Sequence, residues 1–188
     1  MSMQGWVELL ATSPVDGVIV TNTITATSLL AGQSKPVIPA QYFDKPGKAI
    51  RVRAKGRIST LATTPGTFTF DLRIGSTVVF TGGAMALNIT AQTNASFDLD
   101  ITLTCRAIGS GASATLLGIG LFLSRAVIGS AAAASGGASS LVLPDTAPVV
   151  GTGFDSTTAQ TIDLFGTWSA ASVSNSVLVH QFFLESLN

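Results

Sequence analysis

Charged residues are scarce in this chain of 188 residues. Asp, Glu, Lys and Arg together make up 11% of it, less than half of the roughly 25% that is usual in soluble domains. Such a composition is typical of membrane proteins or of proteins that bury much of their surface against other protein. The ten basic and ten acidic residues balance to a net charge of zero, so the basic footprint of a non-specific nucleic-acid binder is missing.

Long hydrophobic runs are missing as well. The most apolar run, 116–123, is followed by Ser124 and Arg125 and is far shorter than the ~20 residues of a spanning helix. The start of the chain carries Glu8 instead of a basic cluster, so we expect no signal peptide. We therefore expect the surface of this chain to be covered by protein partners, and identical subunits are the first candidates.

Cysteine and histidine occur once each. Cys105 continues the apolar alternation that begins at Phe97, which predicts a buried thiol. Since a single cysteine excludes an internal disulfide, we expect synthesis in a reducing cytoplasm or in a compartment where disulfides are not needed. His180 stands among apolar residues without a Gly-x-Ser-x-Gly elbow, and one His with one Cys cannot supply the usual zinc ligands. We therefore expect no catalytic residue, no metal site and no cofactor. A hydrolase would need an accessible His180 beside a serine and a carboxylate.

Short motifs do not change this expectation. The glycine pattern at 109–114 resembles a dinucleotide-binding loop, but a β-like run follows it and no acidic residue occurs before Asp145, which favours a hairpin turn. The glycosylation patterns that begin at Asn88 and Asn94 are interpreted as ordinary loop sequence, since no secretory signal accompanies them.

Alternation of apolar and polar residues is the dominant pattern, and it predicts strands at 50–58, 68–74 and 97–105. Two further runs, 116–128 and 177–187, are apolar at both parities, which predicts strands covered on both sides, one cover being a neighbouring subunit. With a strand near 161–168 and weaker ones near 6–10, 18–25 and 76–81, the count reaches roughly eight to ten. The predicted fold is an all-β, antiparallel, jelly-roll-like sandwich.

Three segments organise the predicted chain. Residues 1–31 are expected to form an extended N-terminal arm for attachment or oligomer contacts, 32–47 a proline-containing linker, and 48–188 the sandwich domain. A tract of Ala, Ser and Gly at 131–140 is predicted to be an exposed loop.

One strand carries a ridge of cations that matches a pair of carboxylates on another. The candidate interface residues are Arg51, Arg53, Lys55, Arg57, Asp98 and Asp100. All lie on the polar faces of their predicted strands, so we expect cross-strand ion pairs within one sheet or between subunits. Contact of the ridge with phosphate, or cation binding by the two aspartates, is the less favoured alternative.

Several blocks together carry a family resemblance: 38–43 (IPAQYF), 46–59 (PGKAIRVRAKGRIS), 64–75 (TPGTFTFDLRIG), 101–109 (ITLTCRAIG), 151–155 (GTGFD) and 179–188 (VHQFFLESLN). On these blocks the chain resembles small accessory structural proteins of tailed-bacteriophage virions. The resemblance implies a non-enzymatic capsid decoration, cement or fibre-like protein. It implies a homo-oligomer, a trimer in particular, bound to the major capsid protein or to neighbouring virion proteins. The alternative is a tail-associated or fibre-associated carbohydrate or host-binding module, which would need exposed aromatic side chains in a groove.

Overall fold

The computed structural model describes residues 6–129 and 137–187. These residues form thirteen strands and one 3-10 turn, Gly32–Ser34. The strands are β1 (Glu8–Thr12), β2 (Val20–Thr21), β3 (Thr27–Ser28), β4 (Val37–Ile38), β5 (Ala49–Thr60), β6 (Thr67–Ile74), β7 (Thr77–Thr81), β8 (Met85–Ala86), β9 (Gln92–Ala107), β10 (Thr115–Gly129), β11 (Gly137–Leu143), β12 (Gln160–Trp168) and β13 (Ser176–Ser186).

The strands build two antiparallel sheets that form a sandwich, which confirms the predicted all-β fold. The larger sheet has seven strands in the order β1-β13-β5-β9-β10-β11, with β2 also pairing with β13. The smaller sheet has the order β3-β12-β6-β7, with β4 on β12 and β8 on β6. No helix of the described residues is long and apolar enough to span a membrane.

The alternating segments form strands because one parity of each can be buried between the sheets. In β5, β6 and β9 the apolar positions are buried and the positions between them are largely half-exposed. Phe70 lies at the centre of this core, with its ring 5.6 Å from that of Phe122 and 5.8 Å from that of Phe97. Burial of such rings between the sheets stabilises the sandwich and specifies which side of each strand faces inward.

The two runs that are apolar at both parities have different explanations. In β13 a bulge at His180 shifts the register between Val179 and Gln181, so the inward parity changes within one strand. Gly56 lies opposite this bulge, where a Cβ atom would be 2.0 Å from the Leu178 carbonyl oxygen. Over residues 116–124 of β10 the even positions are buried and the odd positions between them are half-exposed or exposed, whereas Val127 and Ile128, which follow Ala126 at positive φ, are both buried. The predicted second cover of β10 is therefore missing within the described chain.

The segment predicted as an arm lies on the sandwich over its described part, residues 6–31. Strands β1 and β2 pair with β13, and β3 pairs with β12. Leu29 and Leu30 are buried in the core. Pairing with β13 and β12 thus holds this segment on its own chain instead of leaving it extended, with β1 as the edge strand of the larger sheet. A role of this segment in attachment stays a prediction.

Two other segments differ from their predicted character. The 32–47 segment contains the 3-10 turn and β4, and Phe43 packs edge-on against Phe154 with ring centroids 5.7 Å apart, so it is anchored to the domain. Of the predicted 131–140 loop, residues 131–136 lie outside the described residues, and the prediction is wrong for 137–140, which begin β11. The Ala, Ser and Gly side chains of this stretch show no apolar alternation, so the sequence gives no sign of a strand. The strand forms through backbone pairing with β10.

Candidate interaction face

The solvent side of the large sheet carries three straight rows of side chains across four neighbouring strands, β13, β5, β9 and β10. Residues of one row are paired in register from strand to strand. We call the twelve positions together the outer face. The rows are Glu185–Arg51–Thr102–Ile119, Phe183–Arg53–Asp100–Leu121 and Gln181–Lys55–Asp98–Leu123.

Each strand contributes one column of the outer face, and each column has its own chemistry. The β5 column is cationic (Arg51, Arg53, Lys55), and the β9 column beside it contains Asp98 and Asp100. The β10 column is aliphatic. Strand alternation produces these columns, since every second side chain of a strand points to the same face.

Ion pairs join the cationic column to the acidic one. Arg51 donates hydrogen bonds to both carboxylate oxygens of Asp100, and Lys55 donates to Asp98. Arg53 Nε lies 3.9 Å from Asp100 Oδ2, which is too long for a hydrogen bond. The hydrogen bond to Asp100 raises the pKa of Arg51. Because these side chains are about one-third exposed, each pair contributes only about 0–1 kcal/mol to stability.

Of the six predicted interface residues, the structure brings five together in this network. Arg57 is the exception: it lies on the same side of β5 one row further along, opposite Ser96. No ion pair to Arg57 occurs among the described residues.

The aliphatic column remains exposed although its side chains are large. Ile119 is 48% exposed, Leu121 37% and Leu123 42%, and Val142 of β11, paired with Leu121, is 59% exposed. A group of neighbouring aliphatic side chains on a sheet surface is unfavourable in water and is typical of a contact surface. The run 116–128 is apolar at both parities, which already indicated that one side of β10 faces something other than the core. The sequence could not show which of the two sides that is.

A shallow depression of about 540 Å³ lies at one end of the outer face, beside the β13 bulge. Its lining includes Lys55, Asp98, His180 and Gln181. His180 is 40% exposed, and its Nδ1 atom lies 3.1 Å from Asp16 Oδ1. Ser124 also lines the depression, but its hydroxyl donates to the Ser96 carbonyl oxygen at 2.8 Å. No serine hydroxyl is hydrogen-bonded to His180 in the described part of the chain, so the arrangement is a His–Asp pair without an aligned nucleophile.

The remaining sequence candidates are structural. Cys105 is buried, and desolvation raises the pKa of its thiol, which makes it a poor nucleophile. The glycine pattern at 109–114 forms the hairpin between β9 and β10, with Gly109 and Gly111 at positive φ. Asn88 is buried and donates to the Ala126 carbonyl oxygen. Within residues 6–129 and 137–187 no three His, Cys, Asp or Glu side chains cluster as metal ligands.

Comparison with known proteins gives similarity in structure only. No family model matches the chain, and no curated protein matches it. One similar structure is the CBM2 module of the evolved Dit protein of Lactobacillus casei BL23 phage J-1, with 11% identity, a TM-score of 0.38 and 99% of each chain covered.

Parts of two longer proteins are also similar in structure to this chain. One is an engineered GH43 glycoside hydrolase with endo-xylanase and exo-arabinofuranosidase activity (11% identity, TM-score 0.33, 87% of this chain and 36% of that one). The other is the fructofuranosidase from Schwanniomyces occidentalis complexed with fructose (8% identity, TM-score 0.25, 96% and 34%). This chain therefore spans about a third of either enzyme. At these TM-scores none of the similarities carries a functional argument.

Proposed function

We propose that this chain is a non-enzymatic structural protein of a tailed-bacteriophage virion. It is made in the host cytoplasm, assembles as a homo-oligomer, a trimer in particular, and decorates or cements the capsid through protein contacts. The proposal combines the resemblance of the six sequence blocks with one structural observation, the uncovered aliphatic column on the outer face.

The uncovered column supports an assembly function because it leaves three large aliphatic side chains at neighbouring positions of one strand exposed to water. Burying a Leu or Ile side chain that is exposed contributes about 1.5–3 kcal/mol when the burial is complete. The neighbouring charges are already neutralised by ion pairs within the chain. A protein partner can therefore cover the column without leaving an unpaired charge buried.

Attachment to particles tests this function directly. Particles of the phage that encodes the chain are prepared without the protein and mixed with the purified protein. Co-sedimentation of the protein with the particles, together with a higher temperature of DNA release, supports a cement function. Failure of the folded protein to bind these particles, and its absence from complete virions by mass spectrometry, would refute the proposal.

A second function, binding of a carbohydrate on the host surface by a tail or fibre component, is favoured by the depression beside His180. Lys55, Gln181 and His180 offer polar groups toward a ligand rich in hydroxyls. The aromatic side chains that would stack on a sugar are not in the depression. Trp168 is buried and donates its Nε1 hydrogen to the Val20 carbonyl oxygen, and Trp6, although 70% exposed, is not among the residues that line the depression.

Glycan-array binding that is lost in His180→Ala/Gln181→Ala and retained in the control Thr69→Ala would support this second function. Thr69 lies on the outer side of the opposite sheet, away from the depression. Binding that is equal in both variants would place any glycan site elsewhere.

A further inference from the structure

The columns of the outer face have an order that is complementary to itself. From one side to the other they are the mixed β13 column with Phe183 and Gln181, the cationic β5 column, the acidic β9 column and the aliphatic β10 column. In the two middle columns, reversing this order places cations on carboxylates in two of the three rows, Arg53 with Asp100 and Lys55 with Asp98, and places Arg51 on Thr102 in the third. At the edges it places Phe183 on Leu121, Gln181 on Leu123, and Glu185 on Ile119.

A two-fold rotation performs this reversal. An axis that runs parallel to the strands between β5 and β9 inverts the order of the columns and keeps each row opposite itself. In the central row, Arg53 then faces Asp100 of the second copy, and Phe183 faces Leu121 of the second copy. Two sheets packed face to face lie ~10 Å apart with their strands within about 30° of each other, which suits side chains that meet halfway.

We propose that the outer face binds a second copy of this chain face to face about this two-fold axis. The inference rests on the self-assembly proposed above and specifies its geometry. The contact is isologous, because each copy uses the same surface. A pair of chains results, or a hexamer where two trimers meet through it.

The charges select this axis over the alternative. A two-fold axis perpendicular to the strands would place β5 on β5 and therefore cations on cations, which is repulsive. With the parallel axis Asp98 and Asp100 each keep a cation within the chain and gain another from the second copy. Arg53 is the residue with most to gain, since it makes no hydrogen bond to Asp100 in its own chain.

The size of the face predicts a weak contact in solution. Four columns at ~4.8 Å and three rows at ~6.7 Å cover about 19 Å by 20 Å, or roughly 400 Å² of projected area on each copy. Together this lies below the ~1,000 Å² that a stable interface needs. We therefore expect a concentration-dependent pair in solution that many simultaneous contacts reinforce on a particle.

Two charge variants test the pairing. Arg51→Glu/Arg53→Glu/Lys55→Glu has an acidic centre, and Asp98→Lys/Asp100→Lys has a basic one. We expect neither variant alone to associate through the outer face, so each keeps the mass of one chain, 19.2 kDa, or that of one trimer. Their equimolar mixture should associate at least about tenfold more tightly than the native protein at low salt, because opposite charges meet at four of the six positions in the two middle columns. A mixture that does not associate, with both variants folded by circular dichroism, would overturn the proposal.

A single substitution provides an independent test if the charge variants fail to fold. Leu121→Glu should abolish association through the outer face in analytical ultracentrifugation, so that a pair becomes a monomer or a hexamer becomes a trimer, whereas the control Thr69→Glu, on the opposite sheet, should leave the association unchanged. Association that survives Leu121→Glu, or a native protein that is monomeric up to millimolar concentration, would overturn the contact.

The outcomes separate this inference from the proposed function. A trimer whose mass Leu121→Glu does not change overturns the two-fold contact and leaves self-assembly in place. A monomer that co-sediments with particles overturns the contact and supports attachment. A Leu121-dependent pair that never binds particles supports the contact and refutes the virion function.

Discussion

Removing the side-chain amide of Asn175 should markedly destabilise the fold. Asn175 is fully buried just before β13. Its Oδ1 atom accepts a hydrogen bond from the Leu61 amide at 2.8 Å, and its Nδ2 atom donates to the carbonyl oxygens of Ala170 at 3.2 Å and Pro65 at 3.4 Å. One side chain thus joins both ends of the β5–β6 connection to the β12–β13 connection.

The magnitude follows from the groups left behind by Asn175→Ala. One backbone N–H and two carbonyl groups lose their partner, and each unsatisfied buried group costs about 1–3 kcal/mol. The long bond to Pro65 and the partial exposure of Leu61 and Ala170 reduce the sum, so we expect a loss of about 3 kcal/mol in the free energy of unfolding. For a chain of this size that corresponds to a melting temperature about 6–12 °C lower.

Asn175→Asp adds a prediction about how the stability of the variant changes with pH. The carboxylate would face two carbonyl oxygens in a buried site, so its folded-state pKa should be raised above its unfolded value. The stability of the variant relative to the native protein is then greatest below the unfolded pKa and is lost as the pH rises through the folded pKa. Urea denaturation at a series of pH values measures this difference.

Ser174→Ala, one residue before and exposed, is the matched control and should change the free energy of unfolding by less than about 0.5 kcal/mol. The reasoning is refuted if Asn175→Ala is no less stable than this control. It is also refuted if Asn175→Asp becomes more stable, relative to the native protein, as the pH rises.

Three further predictions concern single residues. Gly118→Ala should cost about 1–3 kcal/mol in urea denaturation, because the new methyl group would lie 2.3 Å from the buried Phe80 ring. Cys105 should react with a thiol reagent at least about tenfold more slowly in the native protein than in urea, since burial raises its pKa and blocks access. The hydrogen bond from the Thr157 hydroxyl, 2.6 Å long, lowers the pKa of Asp155, so Thr157→Val should raise that pKa in a carboxyl NMR titration.

Each of these three predictions has a control variant or an outcome that would contradict it. Gly32→Ala is the control for the packing test, since no atom lies within 4 Å of its added methyl group, and equal losses in both variants would contradict the steric argument. Rapid native labelling of Cys105 would contradict its burial. An unchanged titration of Asp155 in Thr157→Val would show that the neighbouring backbone amides hold the carboxylate by themselves.

The alternating segments determined most of the sandwich by themselves. In 50–58, 68–74 and 97–105 a single parity is apolar, so only one side of each strand can face a core, whatever the rest of the chain does. The same alternation assigned Arg51, Lys55, Asp98 and their neighbours to solvent-facing positions. It also indicated that the cations and carboxylates could pair across strands.

Only the tertiary structure decided which strands are neighbours and where the pattern is interrupted. β13 lies between β1 and β5 although more than a hundred residues separate it from either, and the bulge at His180 reverses its inward parity. The small residues of β11 and the short strands before residue 31 have no period of their own, because backbone pairing with a distant strand holds them in place. The same pairing aligns Phe183, Arg53, Asp100 and Leu121 in one row. That row is a property of the register between four strands, and no local stretch of sequence contains it.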